Sequence, residues 1–179
     1  QTSYQKYCKN FLYKNIPHKH YCLNSHIYKY FIVIPVYNEL HYIDQTLQSI
    51  SIQSQNLLND SLIILVINNS TTEELDIIQN NYDTHKLIKK NKYNFEFAIL
   101  DYYSKNNALT EKYSGVGTAR KIGMDFALKY ANKDSLLFSL DADTIVSNNY
   151  LKIISNNYYK NSFNVCTVNF KHQESKNAK

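Results

Sequence analysis

Glycine is nearly absent from this sequence: it occurs three times, at Gly115, Gly117 and Gly123, all inside the stretch "GVGTARKIGM". The same stretch holds the one arginine, Arg120, and the one methionine, Met124. Proline occurs twice and tryptophan never, while Asn, Tyr, Lys and Ile abound, the bias of an AT-rich genome. Abundant Tyr or Lys therefore says little about function. Cysteine is sparse too: Cys8, Cys22 and Cys166 form an odd set without a CxxC pair, which argues against a disulfide framework. No apolar run reaches membrane-spanning length, and the opening "QTSYQKYCKN" lacks the apolar core of a signal peptide. A reduced, cytoplasmic protein is the default expectation.

What remains is ordinary for a single globular domain, with 44% apolar and 20% charged residues. The net charge of +5 is too diffuse to indicate nucleic acid, but it leaves open an anionic ligand or peripheral contact with the inner face of a membrane. The densest basic run, Lys89, Lys90 and Lys92 around Asn91, sits between apolar segments and reads as a solvated loop.

Residues 1–30 are rich in Tyr, Lys and His, show little periodicity, and read as a surface arm or a peripheral helix. From Phe31 the pattern becomes regular. "YFIVIPVY", "SLIILVI", "FEFAIL" and "SLLFSL" are short apolar runs of the kind buried in a parallel sheet. Between them, Leu40, Ile43, Leu47 and Ile50 recur at helical spacing, as do Val116, Ala119, Ile122, Phe126 and Tyr130. Thr71 and Glu74 form a capping-box pattern ahead of another helix. A last helix is expected near 150–159 and a last strand near 165–170. Alternating strands and helices predict an α/β fold with a mainly parallel sheet flanked by helices.

Ligands in such sheets bind beyond the carboxyl ends of the strands. The polar residues placed there are Tyr37, Asn38 and Glu39, then Asn68 and Asn69, then Asp141 and Asp143. In extended backbone, the two-residue period aims Asp141 and Asp143 the same way, and such a pair can hold a hard divalent cation that bridges to phosphate. A solvated strand-end turn is the plainer reading, but an apolar strand feeding directly into two acids suits a site better. "DADTIV" also matches the nucleophile motif of haloacid-dehalogenase-type phosphatases. That motif normally opens its fold, whereas three strands precede it here.

Gly115, Val116 and Gly117 look like a dinucleotide fingerprint, yet Arg120 occupies the third glycine position and a long polar loop precedes it. The stretch is also similar to the glycine-rich loop of sugar-nucleotide pyrophosphorylases, which follows the first strand of that fold. Physical chemistry is more informative. Glycines before a helix let backbone N–H groups approach an anion, and Arg120 adds a rigid fork of donors. In "IPVYNE", Pro35 is expected to stop the ladder and turn the chain outward, Tyr37 to stack on a base, and Glu39 to accept from ribose or base.

The order of these pieces is the stronger signal. "FIVIPVYNE", "LVINNSTTEE", "GVGTARKIGMDFA" and "LLFSLDADTIVSNNYL" resemble the donor-binding half of family 2 glycosyltransferases with the Rossmann-like GT-A fold of nucleotide-diphospho-sugar transferases. The resemblance covers residues 31–170 as a nucleotide-sugar-binding domain, leaving 1–30 as an arm of unassigned role and 171–179 as a polar tail. It implies that Pro35, Tyr37 and Glu39 line the nucleotide pocket. Asn68 falls where the family has an Asp accepting from the N3–H of uracil, Arg120 reaches the donor, Asp141 faces the ribose, and Asp143 binds Mn²⁺ or Mg²⁺ with Asp141 beside it.

The implied function is metal-dependent, inverting transfer from a nucleoside-diphosphate sugar, UDP-sugar favoured, to a hydroxyl of a glycan, lipid or small molecule. A non-catalytic nucleotide-sugar-binding module is the alternative, and a sugar-nucleotide nucleotidyltransferase the weaker one. Glu174 is the single acid after Asp143, so no general base is assigned. The acceptor half of the family is expected to lie outside these residues, and activity of this fragment alone is not implied. Cys8, His18, His20, Cys22 and His26 match no common zinc spacing.

Overall fold

The computed structural model describes residues 2–13, 16–21, 28–161 and 164–171. Its elements are α1 (Ser3–Asn10), β1 (His18–Tyr21), β2 (Tyr30–Val36), α2 (Ile43–Ser51), α3 (Gln55–Asn59), β3 (Ser61–Asn68), α4 (Leu75–Lys90), β4 (Glu96–Tyr102), α5 (Val116–Ala127), β5 (Leu136–Ser139) and α6 (Tyr150–Asn161), with a 3₁₀ turn at Glu111–Tyr113. They form a five-stranded sheet in the order β1-β4-β3-β2-β5. Every pairing from β4 to β5 is parallel, and β1 adds to β4 antiparallel. The expected mainly parallel α/β architecture is what the chain adopts.

The apolar runs fold this way because both faces of the sheet are covered. Every residue of β2 and of β3 is buried. Ile32, Ile34 and Val36 meet Ile43, Leu47 and Ile50 of α2 on one face, while Phe31 and Val33 meet Ala119, Ile122 and Phe126 of α5 on the other. Each such side chain contributes about 1.5–3 kcal/mol on leaving water. Gly123 lets α5 sit close against the sheet: a Cβ there would lie 2.4 Å from Val33 Cγ1 and 3.0 Å from Val66 Cγ2.

Pro35 does not end β2. Val33 turns its carbonyl toward β5, where it accepts from the N–H of Leu140 at 3.0 Å. Two residues on, Pro35 faces the same side, beyond the last β5 partner, so its missing N–H leaves no gap. On the other side the ladder with β3 continues to Val36. Proline thus ends one ladder and spares the other.

Four further expectations change. The capping box does not form: α4 begins at Leu75 with Glu74 at its N-cap and no side-chain bond there. The Thr71 N–H is instead taken by the Leu109 carbonyl at 2.7 Å, which draws the preceding segment into extension beside residue 109. No strand forms at 165–170, and Val165 and Phe170 are exposed. Lys89 and Lys90 belong to the last turn of α4 rather than a loop, at the end where the helix dipole favours cations.

The fourth is the arm, which is more than a surface appendage: α1 is peripheral as expected, with no buried residue, but the residues after it reach the core. On its face of the sheet α5 is accompanied by Tyr13 and Ile16, which join the core formed with Leu100 and Tyr102. Tyr7 donates its hydroxyl to Asp125 Oδ1 at 2.6 Å, and the Tyr13 N–H donates to Oδ2 at 3.0 Å. Lys121 donates to the Phe11 carbonyl at 2.8 Å and to Asp125 at 2.5 Å. The segment is a strap across α5, and its continuation supplies β1. Cys8 lies on α1, and His18 and His20 on β1, whereas Cys22, His26 and Glu174 fall outside the described residues.

Candidate functional site

The chain runs from β2 outward through β3 to β4, and α5 then returns it to β5 on the opposite side of β2. The strand order therefore reverses between β2 and β5, and a crevice opens beyond their carboxyl ends. Here a cleft of about 300 Å³ is lined by Pro35, Tyr37, Glu39, Asn68, Val116, Asp141, Ala142 and Asp143. Of the seven residues that the resemblance assigns to the nucleotide-sugar site, Arg120 alone is not a lining residue, and Asn38, Asn69, Gly115 and Gly117 also stand outside the lining. Arg120 reaches the cleft rim through an ion pair, Nη2 to Asp141 Oδ1 at 2.6 Å.

Each wall has a local cause. At the end of β2, Asn38 takes a left-handed φ of 60°, an uncommon state that Asn tolerates better than most residues. The turn leaves Tyr37 exposed and Glu39 half-buried at the cleft. At the end of β3, Asn68 is 1% exposed and its Oδ1 has no hydrogen-bond partner among the described residues. Beyond β5 the backbone does not stay extended: the Thr144 N–H returns to the Asp141 carbonyl at 3.1 Å. Ala142 is buried between the two acids, so Asp141 and Asp143 are both left on the outside.

α2 holds that turn. Thr46 donates its hydroxyl to the Ala142 carbonyl at 2.7 Å, Ser49 Oγ accepts from the Val146 N–H at 3.1 Å, and Gln53 bonds the Ser147 carbonyl and the Leu151 N–H at 2.8 and 3.1 Å. These three buried polar residues were not picked out from sequence. Their signal was there: a hydroxyl–hydroxyl–amide stripe at helical spacing beside Ile43, Leu47 and Ile50. Val116 was counted as part of an apolar helix face. It is instead exposed and lines the cleft at the first turn of α5, which follows Gly115 with φ 127°.

The electrostatics are mixed. Burial, then the charges of Asp143 and Asp141, hold the Glu39 carboxyl above its ordinary range. Burial raises the Tyr37 hydroxyl as well, aided by the nearby Glu73 carboxylate. Against these acids stand Arg120 and the positive end of the α5 dipole. The arrangement offers carboxylate oxygens, a guanidinium and one unpartnered amide oxygen around a concave space.

Residues 31–179 match the family model described as Glycosyl transferase family 2. Among solved structures, residues 1–349 of TarS from S. aureus align over 75% of this chain and 33% of that one, at 20% identity and a TM-score of 0.45. The same TarS fragment in complex with UDP-GlcNAc aligns over 75% of this chain and 32% of that one, at 19% identity and a TM-score of 0.45. The chain thus spans about a third of the length of those structures. No curated protein matches it in sequence. Among the described residues, no helix is long and apolar enough to cross a membrane.

Proposed function

Because the chain belongs to glycosyl transferase family 2, we propose that its cleft binds the nucleoside diphosphate of a sugar donor, and that the complete protein moves the sugar to an acceptor hydroxyl on a glycan, lipid or small molecule. The observation that carries this reading is the convergence at the strand-order reversal of a buried, unpartnered acceptor, Asn68 Oδ1, with the carboxylates of Asp141 and Asp143. An amide oxygen in that position needs a donor. Uracil presents one at N3–H and guanine at N1–H, and the smaller base suits the modest cleft, so a UDP-sugar is favoured. Tyr37 offers a ring on which the base can stack, and Glu39 an acceptor for ribose. Arg120 presents its fork to the diphosphate, supported by the first turn of α5.

A hard divalent cation, Mn²⁺ or Mg²⁺, fits the donor set. Asp143 and Asp141 supply carboxylate oxygens, and their charge helps raise the proton affinity of Glu39. Among the described residues no three His, Cys, Asp or Glu side chains group as a metal site. Asp143 and Asp141 are the residues of this chain that would hold the cation. When bound, the cation supplies Lewis-acid neutralisation of the departing diphosphate. Asp143 is its principal holder, because Asp141 already engages Arg120. Transfer proceeds with inversion, by in-line attack of the acceptor.

Calorimetric titration with UDP, with and without Mn²⁺, on the native chain and on Asp143→Ala tests the reading. Metal-dependent binding that disappears in the variant is expected. A folded native chain that binds neither UDP nor GDP overturns the nucleotide assignment, and unchanged metal-dependent affinity in Asp143→Ala removes that residue from the site.

A further inference from the structure

Resting on that nucleotide-binding reading, we propose that Asn81, which does not line the cleft, is the positioning residue that sets the shape of its base-binding end. Asn81 lies in the middle of α4 on the helix's buried face and is 0% exposed. Its amide spans the two strand ends that make the cleft. Oδ1 accepts from the Asn38 N–H at 3.0 Å. Nδ2 donates to the Asn68 carbonyl and to Asn69 Oδ1, each at 3.1 Å. Both N–H bonds of the amide are therefore committed to the end of β3, and its oxygen to the turn after β2.

The residues gripped are those the base would meet. Asn38 stands between Tyr37 and Glu39, and its left-handed φ of 60° decides where those two side chains point. The backbone of Asn68 carries the buried Oδ1 that has no partner. The next residue of α4 in the N-terminal direction, Asn80, extends the grip by accepting from the Leu40 N–H at 3.2 Å. The β2–β3 ladder stops at Val36, and the 37–42 backbone otherwise bonds within its own turn or to α2. The Asn81 amide therefore ties the Tyr37–Asn38–Glu39 wall to the Asn68 wall, and Asn80 pins Leu40 to α4. Beyond the last rung of the β2–β3 ladder, the side-chain link between the two walls depends on the length and polarity of Asn81.

Asn81→Asp keeps the size but places acceptors against the Asn68 carbonyl and Asn69 Oδ1, which forces the two walls apart. Asn81→Ser is the milder variant, too short to reach both walls. Ile88→Ala, on the same buried helix face but remote from both walls, is the control for a general loss of stability. Affinity for UDP with Mn²⁺ is measured by calorimetry at a temperature where every variant is folded, alongside melting temperature and amide hydrogen exchange at residues 38, 40 and 68. Asn81→Asp is expected to weaken UDP binding at least tenfold and Asn81→Ser severalfold, both with faster exchange at those amides. Ile88→Ala, with an equal or larger drop in melting temperature, is expected to stay within twofold of native affinity.

The inference is overturned if the folded Asn81 variants bind UDP within twofold of native, or if Ile88→Ala loses as much affinity as they do. If the native chain binds no nucleotide, the underlying reading fails and the ligand-binding role of Asn81 fails with it. Faster exchange confined to the Asn81 variants would then leave only a structural clamp.

Discussion

Arg120 Nη2 and Asp141 Oδ1 meet at 2.6 Å, joining the second turn of α5 to the turn that follows β5 across the rim of the cleft. The pair is only partly shielded, with side-chain exposures of 33% and 64%, so it contributes little to stability on its own. Its value is geometric. Arg120 Nε is buried and has no partner among the described residues, so the guanidinium is held with one donor spent on Asp141 and another left for a ligand. Arg120→Lys keeps the charge but loses the fork. The expected outcome is a UDP affinity lower by about 1–2 kcal/mol, roughly tenfold in Kd, with an almost unchanged melting temperature. Equal affinities by calorimetry would mean that any cation serves at this position.

Gly123 is expected to be intolerant for reasons of space, not of backbone conformation. A methyl group added there would press on Val33 Cγ1 at 2.4 Å and Val66 Cγ2 at 3.0 Å, both side chains of central strands. Gly123→Ala should cost about 1–3 kcal/mol through overpacking, despite alanine's better helix propensity. Val33→Ala in the same molecule removes the nearer obstacle and should recover part of the loss. Thermal unfolding of the two single variants and the double variant measures the coupling. Additive losses would show that α5 does not rest on Val33 at this point.

Asp125 is expected to hold the N-terminal strap in place. Its side chain is 1% exposed and receives Tyr7, the Tyr13 N–H and Lys121. Asp125→Ala leaves those donors without their acceptor, and a loss of about 1–3 kcal/mol is expected because Lys121 can turn to water. Tyr7→Phe should cost less, about 0.5–1.5 kcal/mol, by removing one bond. Limited proteolysis is the specific readout: cleavage within residues 2–13 should accelerate in both variants, more so in Asp125→Ala. Unchanged cleavage would show that the strap is held by its apolar contacts alone.

The central strands β2 and β3 were legible because burial on both faces leaves an uninterrupted apolar run, as in "FIVI" and "LIILVI". β5 was legible from its apolar "SLLFSL", although Leu137 is exposed. β1 was not. Its sequence, "HKHY", has none of the apolar character of the central strands, and it pairs through its backbone at the sheet edge. "VCTVNF" erred the other way: strand propensity is fit to a paired, half-buried surface, and these residues find no ladder among the described elements. In the site, Pro35, Tyr37, Glu39, Asn68, Asp141 and Asp143 could be placed because strand ends are countable from the sequence. Thr46, Ser49 and Gln53 carried a signal in their spacing beside Ile43, Leu47 and Ile50, whereas Asn81 could not be singled out, since a buried polar residue on a helix looks like a surface one until its partners are known. The strap was obscured in the same way, because its hold on α5 passes through Tyr7 and Tyr13 in a chain with Tyr nearly everywhere.

Glu39 should give the chain a pH signature. Its folded-state carboxyl is raised above the ordinary value by burial, then by Asp143 and Asp141. Between the ordinary and the raised value, the folded state therefore binds more protons than the unfolded one. The derivative of unfolding free energy with pH is then negative, so this group's contribution to stability falls as pH rises through that window. Most carboxylates that gain partners on folding act in the opposite sense, so the effect must be isolated by substitution. Glu39→Gln removes the titration while keeping the shape. Relative to the native chain, the variant should gain stability as pH rises from the ordinary carboxylate range toward neutrality, and the difference should level off once Glu39 is ionised in both states. Denaturant unfolding of both proteins from about pH 4, near the ordinary carboxylate value, up to about pH 7 measures it. A pH-independent difference would show that neither burial nor the neighbouring acids raise the Glu39 carboxyl in the folded chain.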